Sequence, residues 1–152
     1  MIKVLFICHG NICRSPMAEF MLKDMVAKLR ISAEFEIASA ATSREEIGNP
    51  VHRGTRLKLA QYGISVAGKY ARQMTLRDYR YYDCIIAMDS SNLRNIERII
   101  GRDAERKVSL LLDYTPRKGQ SIADPWYTGD FDRTYEDIKE GLTGLLQHLG
   151  KI

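Results

Sequence analysis

The chain has 152 residues, 45% hydrophobic and 28% charged, with a formal net charge of +4 at pH 7. That balance belongs to a globular domain with enough chain for one core, and no apolar run approaches the ~20 residues of a membrane span. Cys8, Cys13 and Cys84 make an odd number of cysteines, which speaks against a secreted disulfide framework and for free or catalytic thiols. The apolar stretch Val4–Cys8 is too short for the core of a signal peptide, so a cytoplasmic location is expected. The modest positive charge suits an anionic substrate, and equally a weak attraction to nucleic acid or to a membrane surface.

In chain order, residues 2–8 read as a strand buried on both faces. A helix should follow, with Ser15 as N-cap, Pro16 at the first helical position, and Ala18, Met21, Leu22, Met25 and Leu29 at helical spacing. A second strand is expected over Phe35–Ala40 and a helix over Thr55–Tyr62, stopped by Gly63. Asp83–Met88 reads as a third strand. Asp89 then caps a helix that carries Leu93, Ile96 and Ile100 and ends at Gly101. Lys107–Leu112 is the fourth strand, and Tyr135, Ile138, Leu142, Leu145 and Leu149 mark the last helix. Strands alternating with helices imply a parallel sheet covered on both faces, as one domain over residues 1–152, with its ligand site at the carboxyl ends of the strands.

Cys8 ends the first strand, and Cys8-His9-Gly10-Asn11-Ile12-Cys13-Arg14-Ser15-Pro16 follows directly. Five residues between a cysteine and an arginine can curl until their backbone N–H groups form an anion-binding nest, to which a helix N-terminus adds its dipole. Gly10 and Asn11 tolerate the left-handed backbone that such a curl needs. Arg14 can grip two phosphate oxygens with its planar fork. Cys8 beneath this positive concavity is expected as a thiolate nucleophile, with Ser15 donating a hydrogen bond to its sulfur. The plain alternative is a buried structural cysteine beside a solvated arginine. A bare Cys-five-Arg spacing is weak, and it is the strand before it, the Gly-Asn within it and the Ser-Pro after it that favour chemistry. For an acid partner, Ala123-Asp124-Pro125-Trp126-Tyr127 offers a carboxyl on a proline-stiffened loop with two aromatics to wall a flat ring. An ordinary Asp-Pro turn is the competing reading.

The run Phe6-Ile7-Cys8-His9-Gly10-Asn11-Ile12-Cys13-Arg14-Ser15-Pro16-Met17-Ala18-Glu19 resembles the active-site loop of the low-molecular-weight protein tyrosine phosphatases. Ser39-Ala40-Ala41-Thr42, Ile47-Gly48-Asn49-Pro50, Ala71-Arg72-Gln73, Met88-Asp89-Ser90-Ser91-Asn92-Leu93 and Asp124-Pro125 resemble further family segments in the same order. The resemblance implies a flavodoxin-like sheet of four parallel strands. It also implies hydrolysis of phosphotyrosine and aryl phosphates through a phosphocysteine on Cys8, with Arg14 on the phosphate and Asp124 as general acid. His9, Gly10, Asn11, Ile12, Cys13 and Ser15 would bind the phosphate or line its pocket, and Trp126 and Tyr127 would flank the ring. Asn11 and Ser39 resemble the pair that holds the loop in shape, and Cys13 the cysteine that forms a reversible disulfide with the nucleophile. Asp89 resembles a family acid, although capping alone would account for it. No metal or cofactor is implied, nor a nucleic-acid or membrane partner. The expected partners are phosphotyrosine proteins or small aryl phosphates, with inorganic phosphate as product, acted on by a monomer.

Some positions depart from the family pattern. Arg44, Glu45 and Glu46 occupy a loop in which eukaryotic members place an aromatic at the pocket mouth, Lys69 stands where many members have histidine, and Trp126 replaces a commoner tyrosine. Four other readings compete. Arsenate reduction on this fold passes a disulfide through two later cysteines, and only Cys84 is present. Phosphoarginine phosphatases of the family carry threonine where Ile12 stands. A phosphocysteine carrier or phosphate-binding module would need neither Arg14 nor Asp124. A nucleic-acid-binding domain would show a one-sided basic surface, whereas the arginines from Arg94 to Arg106 are interleaved with Glu97, Asp103 and Glu105.

Overall fold

A computed structural model describes residues 1–152. Its elements are β1 (Ile2–Cys8), α1 (Arg14–Lys28), β2 (Phe35–Ala41), α2 (Arg53–Ala60), α3 (Leu76–Tyr81), β3 (Cys84–Ala87), α4 (Ser90–Ile100), β4 (Val108–Leu110), α5 (Pro125–Thr128) and α6 (Phe131–His148). The four strands form one parallel sheet in the order β2-β1-β3-β4, with Cys8 opposite Ala41 and Ile7 opposite Ala87. This is the flavodoxin-like arrangement the sequence implied. The chain goes from β1 to β2 on one side and then crosses back past β1 to β3 on the other, so the end of β1 lies at the topological switch point, where open α/β sheets bind ligands.

The apolar run of β1 is explained by alternation between two cores. Val4, Phe6 and Cys8 join one with α1 and α6, while Leu5 and Ile7 join the other with Tyr79, Ile85 and Ile96. Successive side chains point to opposite faces, so a strand covered on both sides must be apolar throughout. Helix α1 packs on β1 and β2 and against α6, which anchors the start of α1 under the end of β1. No helix is long and apolar enough to cross a membrane.

Several boundaries differ from the sequence reading. Helix α1 begins at Arg14 with Cys13 in the cap position and no side-chain cap, so Ser15 lies inside the first turn rather than capping it. Its hydroxyl is taken up by Cys8 and Asn11 instead. Helix α2 starts two residues early, at Arg53, because His52 Nδ1 accepts the Gly54 N–H at 2.9 Å and caps it. The fourth strand stops at Leu110, where Leu111–Tyr114 turn into a 3-10 helix and the Asp113 carboxylate takes the Leu110 N–H. Helix α3 has no counterpart in the sequence reading. It is started by Thr75 and Asp78 in a reciprocal capping box, a signal that the flanking tyrosines obscure. Asp89 does cap α4, accepting the Asn92 N–H at 2.8 Å, and Gly101 closes that helix at φ 75°.

Gly144 marks where α6 crosses the turn after β4: a Cβ there would lie 2.1 Å from the Tyr114 carbonyl oxygen. Backbone has little room to yield, so Gly144→Ala is expected to lower unfolding stability by about 1–3 kcal/mol in a urea titration.

Candidate active site

Cys8 is 3% exposed at the end of β1. The loop curls over it because Asn11 adopts φ 58°, the left-handed conformation that asparagine tolerates better than most residues. This brings the Asn11 N–H 3.3 Å from Cys8 Sγ, and Ser15 Oγ lies 3.0 Å from the same sulfur. Gly10 has no positive φ. Its role is close approach, since a Cβ there would come within 3.2 Å of the Glu46 side chain.

A chain of hydrogen bonds runs outward from the sulfur, and its direction follows from the far end. The carboxylate of Glu19, 4% exposed, only accepts, so Ser39 Oγ donates to it at 2.5 Å. Ser39 Oγ in turn accepts from Asn11 Nδ2 at 2.9 Å, and the same amide donates to Ser15 Oγ at 2.8 Å. The Ser15 hydrogen is thereby left for Cys8. Lys23 reaches Glu19 at 2.6 Å. Lys69 donates to the Ser39 carbonyl at 2.8 Å and lies 3.7 Å from Glu19. Burial lowers the Lys69 pKa below its ordinary value, and nearby Glu19 opposes that shift only in part. Asn11 Oδ1 accepts the Arg72 N–H at 3.2 Å, and Asp78 grips the Arg72 guanidinium with both oxygens, at 3.0 and 3.1 Å. The sequence reading included Glu19 and Arg72 in segments that resemble the family but gave neither a role. The available signal for Glu19 was an acid four residues after Ser15, on the same face of α1.

Arg14 is 2% exposed. Its Nη1 donates to Asp89 Oδ2 and to the Ile122 carbonyl, both at 2.8 Å, and its Nη2 lies 3.4 Å from Asp124 Oδ2. Burial pulls the guanidinium pKa down, but Cys8, Asp124 and Asp89 together hold it above its ordinary value. Asp89 thus serves as both helix cap and arginine partner, which corrects the reading of capping alone. Asp124 caps α5 by accepting the Trp126 N–H at 3.0 Å on Oδ1, which turns Oδ2 toward Arg14.

Cys8, His9, Gly10, Ile12, Cys13 and Arg14 line a concavity of about 110 Å³, together with Asp124, Trp126 and Tyr127 and with Glu45 and Glu46. The structure therefore brings together the sequence-predicted residues, with Asn11, Ser15 and Ser39 behind the wall. The aromatic pair is exposed, Trp126 at 57% and Tyr127 at 83%. Trp126 is backed by the His52 ring, edge-on at 5.6 Å, and His52 stacks on Phe131 at 5.4 Å, a support the sequence reading missed. His9 Nε2 pairs with Glu45 Oε2 at 2.8 Å on the rim. No three His, Cys, Asp or Glu side chains converge where they could hold a metal ion.

Comparison with known proteins places this geometry. The family model described as low molecular weight phosphotyrosine protein phosphatase matches residues 3–152. The Bacillus subtilis low molecular weight protein-tyrosine-phosphatase YfkJ is 40% identical over 99% of this chain and 97% of its own. Its crystal structure superposes with a TM-score of 0.94, covering 99% of this chain and 96% of that one. The human low molecular weight phosphotyrosine protein phosphatase is 41% identical over 85% of this chain and 82% of its own. The crystal structure of a Drosophila arginine phosphatase, 34% identical, gives a TM-score of 0.88 over 97% and 98% of the two chains.

Burial and the neighbouring Cys8 and Asp124 charges push the Cys13 thiol up to about 12. Cys13 should therefore resist iodoacetamide at pH 8 in the folded protein and react on unfolding, as read by fragmenting the peptide that carries both loop cysteines. With loop, partners, sheet and relatives in agreement, the chain belongs to the low molecular weight phosphotyrosine protein phosphatase family.

Proposed function

We propose that this chain hydrolyses phosphotyrosine and aryl phosphates through a phosphocysteine on Cys8, with Arg14 on the phosphate and Asp124 as general acid. The observation that carries these assignments is the convergence of Cys8, Arg14 and Asp124 on one small concavity, with Asp124 Oδ2 3.4 Å from the Arg14 guanidinium. Loop N–H groups and Arg14 hold the phosphoryl oxygens and stabilise their charge without reorganising. Cys8 Sγ, with Ser15 and the Asn11 N–H as donors, attacks phosphorus in line. The P–O bond to the ring breaks, and Asp124 gives its proton to the departing phenolate. Water then attacks the phosphocysteine and gives Asp124 a proton. The S–P bond breaks, releasing inorganic phosphate and the thiolate.

His9, Gly10, Ile12 and Cys13 form the floor of the substrate site in this reading, and Trp126 and Tyr127 flank the ring. Ser39 acts from behind, through Asn11. Peroxide would convert Cys8 to a sulfenic acid, which the Cys13 thiol condenses with, releasing water and leaving a reducible disulfide. The chain works as one domain and as a monomer in the cytoplasm, needing no cofactor, since one chain supplies every group in the site. Ile12 puts an apolar side chain on the pocket wall, which suits an aryl ring.

The test is hydrolysis of p-nitrophenyl phosphate and of a phosphotyrosine peptide in EDTA and reductant at mildly acidic pH, with phosphoarginine as comparison. Cys8→Ser should abolish turnover. Asp124→Ala should lower kcat by about 10²–10⁴-fold for the phenolic substrates. Turnover surviving in Cys8→Ser would overturn the mechanism.

A further inference from the structure

We propose that a cationic cleft beside the catalytic pocket binds the acidic flank of phosphotyrosine-bearing protein substrates through Arg53 and Arg56. The proposal rests on the phosphatase reading and adds a substrate class to it. The cleft, about 840 Å³, is much larger than the catalytic concavity of about 110 Å³. One wall is α2, where Arg53, Arg56 and Ala60 fall on a single stripe. The other is the segment 63–70, and Val51 and Val66 supply an apolar floor.

The charge of this cleft is one-sided. Its lining contains Arg53, Arg56 and Lys69 and no Asp or Glu. Lys69 is already turned inward to the Ser39 carbonyl and Glu19, which leaves the two arginines. Both are exposed, and neither has a carboxylate within 4.0 Å, whereas Lys58 on the same helix is paired with Asp132 at 2.8 Å. Two unpaired like charges one turn apart weaken a helix slightly. An incoming acidic segment would relieve that repulsion and find apolar floor beneath it.

The cleft and the active site are joined by the segment 49–53, which contacts both. Asn49 hydrogen-bonds Glu46 of the catalytic wall, while the next residues, Pro50 and Val51, line the cleft. His52 then backs Trp126, and Arg53 returns to the cleft. An extended peptide advances ~3.3 Å per residue, so in this proposal the positions that meet the arginines lie a few residues from the phosphotyrosine. Glu45 and Glu46 line the catalytic mouth, whereas the cleft lining has no Asp or Glu, so an acidic flank is favoured over the cleft rather than at the mouth.

The experiment compares phosphotyrosine peptides whose flanks carry Glu, Ala or Lys, with p-nitrophenyl phosphate as a substrate too small to reach the cleft. Wild type should favour the Glu peptide over the Ala peptide by about 3–10-fold in kcat/KM, chiefly through KM, and added salt should shrink the gap. Arg53→Ala with Arg56→Ala should erase that preference and leave p-nitrophenyl phosphate kinetics unchanged. Arg53→Glu with Arg56→Glu should shift preference to the Lys peptide, a reversal that mere structural damage does not produce. Equal peptide selectivity in wild type and variants, with p-nitrophenyl phosphate turnover intact, overturns the cleft proposal alone. Absence of p-nitrophenyl phosphate turnover in the wild type overturns the hydrolase reading and the cleft's role with it.

Discussion

A buried guanidinium organises this molecule. Arg14 is 2% exposed, yet it carries a full charge that burial makes costly unless every direction is answered. The answers come from three groups on two segments: Asp89 at the start of α4, and the Ile122 carbonyl with Asp124 in the stretch leading into α5. The loop after β1, the end of β3 and the stretch before α5 must therefore sit where this one side chain needs them. The same contacts leave Nη2 facing the concavity, where a phosphoryl group can take the place of the weaker Asp124 contact. One constraint thus serves both folding and ligand binding.

The loop itself is held from behind by a chain of polar groups that ends in Glu19. Because a carboxylate can only accept, it sets the direction of every hydrogen bond between itself and Cys8. Lys69, at a position where many family members have histidine, supports this chain by bonding the Ser39 carbonyl and lying near Glu19. A lysine carries its charge on a longer and more flexible stem, so the support reaches the carbonyl without a ring in the wall.

Around the mouth, the family's pocket has been given a different electrostatic character. Glu45 and Glu46 line the mouth together with the exposed rings of Trp126 and Tyr127, and His9 answers only Glu45. The entrance carries acidic and aromatic groups, and the cleft lined by Arg53 and Arg56 is basic. The groups available for recognition at the mouth are therefore charged as well as aromatic.

The sequence by itself determined whatever depends on near neighbours along the chain. The strand into Cys8, the asparagine able to turn left-handed, the capping of α4 by Asp89 and the proline-braced Asp124 are all local, and each was legible. Tertiary structure decided whatever joins distant segments. Ser15 reads both as a helix cap and as a donor to Cys8, and the fold keeps only the second, adding Asn11 as its partner. Asp89 reads as a cap alone until Arg14, 75 residues earlier, arrives beside it. The carbonyl of Ile122 has no side-chain signature at all, though it binds Arg14 across 108 residues. Periodicity and capping are written in adjacent residues. The partners of a buried charge are chosen by how the sheet brings loop ends together, and only the folded chain displays that choice.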